Sequence, residues 1–211
     1  MYQPAQFVQP SIAVMHELMR QRPLATLVTL ASDGLNANLI PLHLSDAPSP
    51  FGTLRGHVAR ANPLWTDINP AVEVLAVFHG PDAYISPSWY ATKQDTGRVV
   101  PTWNYTVVQA YGHLQVMDDA QWLRAQLAAL TDHNEAGFAE PWAVADAPPE
   151  FTEQLLAAIV GIELVITRLS GKWKVSQNQP AVNQASVMAG LQDTGQTAMA
   201  DLVAAGGKGE N

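Results

Sequence analysis

The chain has 211 residues, of which 47% are hydrophobic and only 14% charged, with no cysteine and a formal net charge of -8. A chain of this length buries roughly 70% of its unfolded surface, and the composition excludes a disordered, highly charged polypeptide. Without cysteine there are no disulfides, thiolate metal sites or cysteine nucleophiles, and no apolar run reaches the 18 or more residues of a membrane span.

In chain order, Ser11 to Gln21 reads as a helix with Ile12, Met15, Leu18 and Met19 on one face, closed by Pro23. Leu24 to Leu30 reads as a strand, Ser32-Asp33-Gly34 as a hairpin-type turn, and Asn36 to Leu44 as the returning strand. Thr53 to Val58 is another strand, and Pro63 suits the first turn of a helix through Trp65. Val72 to Phe78 reads as a buried strand, with Gly80-Pro81-Asp82 turning the chain into Ala83 to Ser86. Residues 86–104 form a long irregular stretch, the kind of loop that is more often functional than idle. Tyr105 to Met117 is a long strand, and Asp118 or Asp119 caps a helix carrying Trp122, Leu123, Leu127 and Leu130. A polar connection over 131–149 leads to a helix from Pro149 to about Ala158. Gly161 to Leu169 and Lys172 to Gln177 read as a hairpin across Ser170-Gly171. A last helix covers Ala181 to Leu191, and the tail from Gln192 is expected to be weakly ordered. Mostly hairpin-ordered strands with helices between them predict a mixed antiparallel barrel in one domain over residues 1–191. Neither of the common Gly-rich phosphate loops is present.

Four segments could carry chemistry. In Gly56-His57-Val58-Ala59-Arg60-Ala61-Asn62-Pro63, a His, an Arg and an Asn at a strand-to-helix junction make an anion cradle; alternatively Arg60 pairs with an acid such as Asp67. In Val100 to Tyr105, the indole of Trp103, the amide of Asn104 and the phenol of Tyr105 offer a stacking surface for a heterocycle, or else Trp103 and Tyr105 are core residues. In Gly171 to Asn178, strand alternation places Lys172, Lys174 and Ser176 on one face, with Trp173 and Val175 opposite. Those lysines suit an anionic partner or a protected hairpin edge. Pro81 to Tyr90 reads as a rigid aromatic loop holding Trp89 and Tyr90 over a pocket or interface, or serving structure alone. The histidines at 16, 43, 57, 79, 113 and 133 form no spaced metal motif.

The charge pattern argues against nucleic acid. Nine acids and one base, Arg124, lie between Asp118 and Glu163, and no helix-turn-helix is evident. Phosphate neutralisation dominates DNA affinity, so the sequence predicts no sequence-specific DNA binding by this chain alone. The N-terminus lacks a basic region followed by an apolar stretch, which predicts a cytoplasmic protein without a signal peptide.

Taken in order, Met1-Tyr2 with Pro4 and Phe7, GHVARANP at 56–63, HGPDAYISPSWY at 79–90, VVPTWNY at 99–105, AYGHLQV at 110–116 and GKWKVSQN at 171–178 resemble the PaiB family of FMN-binding negative transcriptional regulators. The resemblance covers about residues 1–191. It implies a split β-barrel of the pyridoxamine-phosphate-oxidase type, assembled as a homodimer with FMN at the subunit interface. It also implies roles for the segments above. His57, Arg60 and Asn62 become an FMN phosphate and ribityl site, and Trp103, Asn104 and Tyr105 the flavin ring or pocket wall. Lys172, Lys174, Ser176 and Gln177 close the site from the partner chain. The family role is regulation or redox and metabolic sensing; the alternatives are an FMN-dependent oxidoreductase and a haem-binding split barrel with His57, His79 or His113 as axial ligand. Three places depart from the family pattern. Asn38 stands where members tend to carry His, Gln179 stands where they have Arg, and Asn183 and Gln184 replace an Asp-Arg pair.

Overall fold

The computed structural model describes residues 1–206. Strand β1 (Val8–Gln9) follows a 3-10 turn at Ala5–Phe7, and helix α1 (Ile12–Gln21) leads into the antiparallel pair β2 (Leu24–Ala31) and β3 (Gly34–Pro41). Ala31 pairs with Gly34, so Ser32 and Asp33 form a two-residue turn, and Gly34 takes φ +127, which a side chain would resist. Next come β4 (His43–Ser45), β5 (Thr53–Ala59), a 3-10 turn at Pro63–Trp65 and β6 (Val74–Ile85). Short helical turns at Pro87–Trp89 and α2 (Lys93–Thr96) precede β7 (Thr102–Met117). Helices α3 (Ala120–Glu135) and α4 (Pro149–Ala157), strand β8 (Ile159–Lys174) and helices α5 (Ala181–Asp193) and α6 (Thr197–Ala204) complete the described chain.

The strands pair in the order β3-β2-β6-β7-β8-β5-β4, with β1 on β8. The pairs β1–β8, β2–β3, β2–β6, β4–β5 and β5–β8 are all antiparallel, in keeping with the hairpin-ordered sequence. The chain divides into two compact units interleaved in sequence: Met1–Leu18, His79–Val108 and Ser170 onward, and Met19–Phe78 with Gln109–Leu169.

Two of the expected turns are straight strand. Gly80-Pro81-Asp82 does not turn the chain; β6 runs through it. A Cβ at Gly80 would overlap Thr106 Oγ1, so this glycine answers a close approach by β7. β2 pairs with β6 only at Leu75 to Val77, and Pro81 lies beyond that stretch, where β2 asks it for no ladder donor. Ser170-Gly171 is likewise no hairpin, because β8 is one strand of 16 residues. Gly171 pairs with Gln9, and a Cβ there would stand 2.6 Å from Met15 Sδ. The glycine lets α1 pack onto the strand.

The tail differs too. Within the stretch from Gln192 expected to be weakly ordered, α6 forms and buries Met199, Ala200 and Val203 against Ala83, Ile85, Tyr90, Val175, Val187 and Leu191. Apolar burial, which composition alone did not reveal for so short a helix, anchors it. The remaining tail positions, 207–211, lie outside the described residues. The returning strand expected over Asn36 to Leu44 is two strands, β3 ending at Pro41 and β4 starting at His43. Two local expectations hold: Asp119 caps α3, accepting from Trp122 N at 2.7 Å, and Pro149 starts α4.

Candidate functional site

The candidate residues fall into two groups, one in each compact unit. The first gathers where β7 starts and β8 ends. Asn104 is buried at 1% exposure on β7, and Ser176 lies two residues past β8 with φ +63, a left-handed conformation uncommon for a residue with a side chain. The pair is reciprocal: Asn104 Nδ2 donates to Ser176 Oγ at 2.9 Å, and Ser176 Oγ lies 3.3 Å from Asn104 Oδ1. Because β8 stops at Lys174, Ser176 does not share a strand face with the lysines as alternation suggested. Gln177 folds back instead, accepting from Val175 N at 2.8 Å and donating to the carbonyls of Trp173 and Gln6.

Lys172 is buried at 7% exposure, yet among the described residues neither it nor Lys174 has a carboxylate in an ion pair. Lys172 Nζ donates to the Tyr2 carbonyl at 3.1 Å and sits 5.1 Å from the Tyr105 ring centroid. Lys174 Nζ donates to Thr102 Oγ1 and, at 2.7 Å, to the Trp103 carbonyl. Burial, and then the positive charge of Lys172, hold the Lys174 amine below its ordinary value. Carbonyls and a ring face solvate an ammonium only in part, so this pair of cations favours an added anion.

Trp103 is not a core residue, in contrast to the alternative that its composition allowed. It is 55% exposed and meets Tyr84 edge-to-face, with centroids 6.0 Å apart. An exposed aromatic pair beside two cations is a surface able to meet a ring that carries a phosphate. The aromatic loop is structural: Tyr90 is buried at 4% exposure, and a Cβ on Gly190 of α5 would stand 2.5 Å from the Trp89 ring.

Three of the family departures form one neutral network in the same unit. Asn183, buried, donates to Gln179 Oε1 at 3.3 Å and Thr92 Oγ1 at 3.0 Å and accepts from Thr92 N at 3.1 Å, while Gln184 donates to the Gln179 carbonyl at 2.8 Å. Amides replace the charges there without leaving these groups unpaired.

The second group holds His57, Arg60 and Asn62. Asn62 Oδ1 accepts from Leu64 N at 2.9 Å, capping the Pro63 turn, and its Nδ2 donates to Asn38 Oδ1 at 3.1 Å. Arg60 pairs with Asp118 rather than Asp67: its two terminal nitrogens reach the carboxylate at 3.1 and 2.6 Å. It also donates to the carbonyls of Ala157 and Ile159 at 2.9 and 3.0 Å. Asp67 is occupied by Ser32. The fork with Asp118 raises the Arg60 pKa and lowers that of Asp118. His57 Nδ1 donates to Gln126 Oε1 at 3.0 Å, leaving its Nε2 as the ring acceptor. Gln126 itself is buried and its Nε2 has no partner among the described residues. Gln126 and Asp118 carried no sequence signal, because both reach these residues from distant positions in the chain. No group of three or more His, Asp or Glu able to hold a metal exists among the described residues.

An antiparallel sheet with flanking helices in this strand order is the fold of FMN-binding split-barrel proteins. A conserved hypothetical protein of Mycobacterium tuberculosis superimposes with a TM-score of 0.59 at 13% identity, covering 85% of this chain and 94% of that one. The FAD and heme binding protein of Mycobacterium smegmatis gives 0.57 at 18% identity, covering 79% and 73%. The chain belongs to the family described as "Putative FMN-binding domain", whose model matches residues 1–168. An uncharacterized protein of Emericella nidulans is 34% identical over 92% of both chains. Protease synthase and sporulation protein PAI 2 of Bacillus subtilis is 28% identical over 92% of this chain and 90% of its own length. No helix among the described residues is long and apolar enough to cross a membrane.

Proposed function

We propose that this protein binds FMN as a homodimer and acts, like the regulators its sequence resembles, as a redox or metabolic sensor. The observation that carries the reading is the lysine pair: Lys172 and Lys174, half to fully buried and, among the described residues, in no ion pair with a carboxylate, beside the exposed Trp103–Tyr84 pair. A phosphate supplies the missing negative charge, and the aromatic edge receives the isoalloxazine ring. Asn104, Tyr105, Ser176 and Gln177 shape the wall around them. Bound FMN would bring redox chemistry; the protein's share is to hold the phosphate and exclude water from the ring.

A second copy of the chain is the natural cover for the outer sheet face. On β3, Leu35 and Leu39 are 81% and 69% exposed, with Ala37 and Pro41 exposed on the same face. Their cross-strand partners on β2 are Leu24, Thr26, Val28 and Leu30, of which all but Thr26 extend that apolar surface. An isologous dimer covers such a strip on both subunits at once. Light scattering of the wild type and of Leu39→Asp tests this: a dimer that becomes monomeric is the expected result.

The flavin reading is tested by titrating FMN and riboflavin separately against the wild type and Lys174→Ala. Loss of a charge-assisted hydrogen bond weakens FMN by roughly tenfold or more while riboflavin is little affected. Equal losses remove Lys174 from the phosphate role. One observation favours a second ligand: Gln126 fixes the His57 ring with Nε2 free to accept, the arrangement of an axial histidine. A Soret band on adding haem, in place of flavin bands on adding FMN, would select it. Flavin bands that bleach with NADPH would favour an FMN-dependent oxidoreductase over a passive sensor.

A further inference from the structure

A cleft lies in the unit made of Met19–Phe78 and Gln109–Leu169, lined by residues given no ligand role above. It is lined by Arg20 at the end of α1, Pro23, Leu42, His43 and Leu44 at β4, and His133 near the end of α3. The His43 and His133 rings meet edge-to-face with centroids 6.1 Å apart. His133 Nε2 donates to the Arg20 carbonyl at 3.0 Å, which leaves Nδ1 as the other polar atom of the ring. Arg20 pairs with Asp46 at 2.5 Å, and Arg55, cross-strand from His43, pairs with Glu163 at 2.7 Å.

Among the described residues Arg20 and Arg55 each have one carboxylate in an ion pair, and Asp46, the acid that acts on His43, is the one paired with Arg20. Protonating both histidines therefore adds two positive charges beside a carboxylate that already faces an arginine. We propose that this cleft binds a small dianionic oxyanion together with protons taken up by His43 and His133. The apolar floor of Pro23, Leu42 and Leu44 leaves the recognition to the three nitrogen-bearing side chains. Burial first, then His133, Arg55 and Arg20, hold His43 below its ordinary value, against the pull of Asp46. An anion among these groups reverses that repulsion, so binding and protonation reinforce one another.

Sulfate is the probe, because its charge is constant over the range in which histidine titrates. Imidazole NMR signals of the full chain are followed during sulfate addition, with chloride at matched ionic strength as the control. The expected result is a saturable shift of the His43 and His133 signals, with midpoints displaced upward. Affinity should tighten by roughly tenfold or more between about pH 8 and about pH 5.5. His43→Gln, at a half-buried position, and His133→Gln, at an exposed one, should each reduce that pH dependence, and the double variant should abolish it. Shifts that never saturate, equal shifts with chloride, or binding indifferent to pH overturn the proposal. Competition by a phosphate monoester would mark the oxyanion as the terminal group of a larger molecule; its failure to compete would mark the free ion. A flavin titration that fails leaves this result untouched, since no residue is shared.

Discussion

Asn104 and Ser176 are 72 residues apart in sequence and exchange hydrogen bonds in a buried site. That pair holds Ser176 at a positive φ and so decides where the chain leaves β8, immediately beyond the two lysines. Strained backbone persists only where its surroundings over-determine it. Replacing Asn104 with Leu strands the Ser176 hydroxyl and should cost about 1–3 kcal/mol, read by denaturant titration. Ser176→Gly relieves the backbone and loses the same bond, so it should be milder. A larger loss for Ser176→Gly than for Asn104→Leu would assign the site's rigidity elsewhere.

Arg60→Ala and Trp103→Ala test phosphate and ring recognition separately. Arg60 is tied to Asp118 and two carbonyls, so Arg60→Ala should lower the melting temperature even without ligand. If Arg60 also reaches the FMN phosphate, the variant weakens FMN more than riboflavin. Trp103→Ala should weaken both ligands alike; unchanged affinity for both would leave the indole without a flavin role.

The helix past residue 196 is structural. Met199 is 1% exposed within the cluster around Tyr90 and Val187, so Met199→Ala should cost about 2–5 kcal/mol of stability. Loss of only a few tenths in chemical unfolding would show that α6 docks without contributing.

Acid should weaken the protein through His43. Its folded pKa lies below the unfolded value of 6.5, so the native state prefers the neutral ring. The stabilisation is complete above that value and is lost as pH falls through the folded pKa. A stability profile at low anion concentration should therefore decline below 6.5, and His43→Gln should flatten it. A variant profile parallel to the wild type would place the acid sensitivity in another group.

The acidic balance predicts no sequence-specific DNA binding by the chain alone. Specific binders reach about 10⁻⁸ M or tighter at physiological salt. A salt-sensitive mobility shift on its own promoter at that concentration would contradict the prediction and turn attention to the scarce lysines.

Local patterns were decisive wherever short-range physics dominates. The period-2 runs of β2 and β5, the Asp119 cap and Pro149 at the start of α4 could be read from sequence, because each depends on near neighbours. The lysines and aromatics of the candidate site could be singled out by residue type alone, before any coordinates. Gly80 and Gly171 were misleading for a definite reason. A glycine signals either a turn or a close approach, and only the packed partner, Thr106 or Met15, distinguishes the two. Likewise α6 is a short apolar segment until Ala83, Tyr90 and Val187 surround it. Residue type alone determined that Lys172 and Lys174 carry charge; the tertiary structure decided that they carry it among carbonyls and a ring, with no carboxylate ion-paired to them among the described residues. The reason is that burial and pairing depend on residues brought together across the sheet, which no local window of the chain contains.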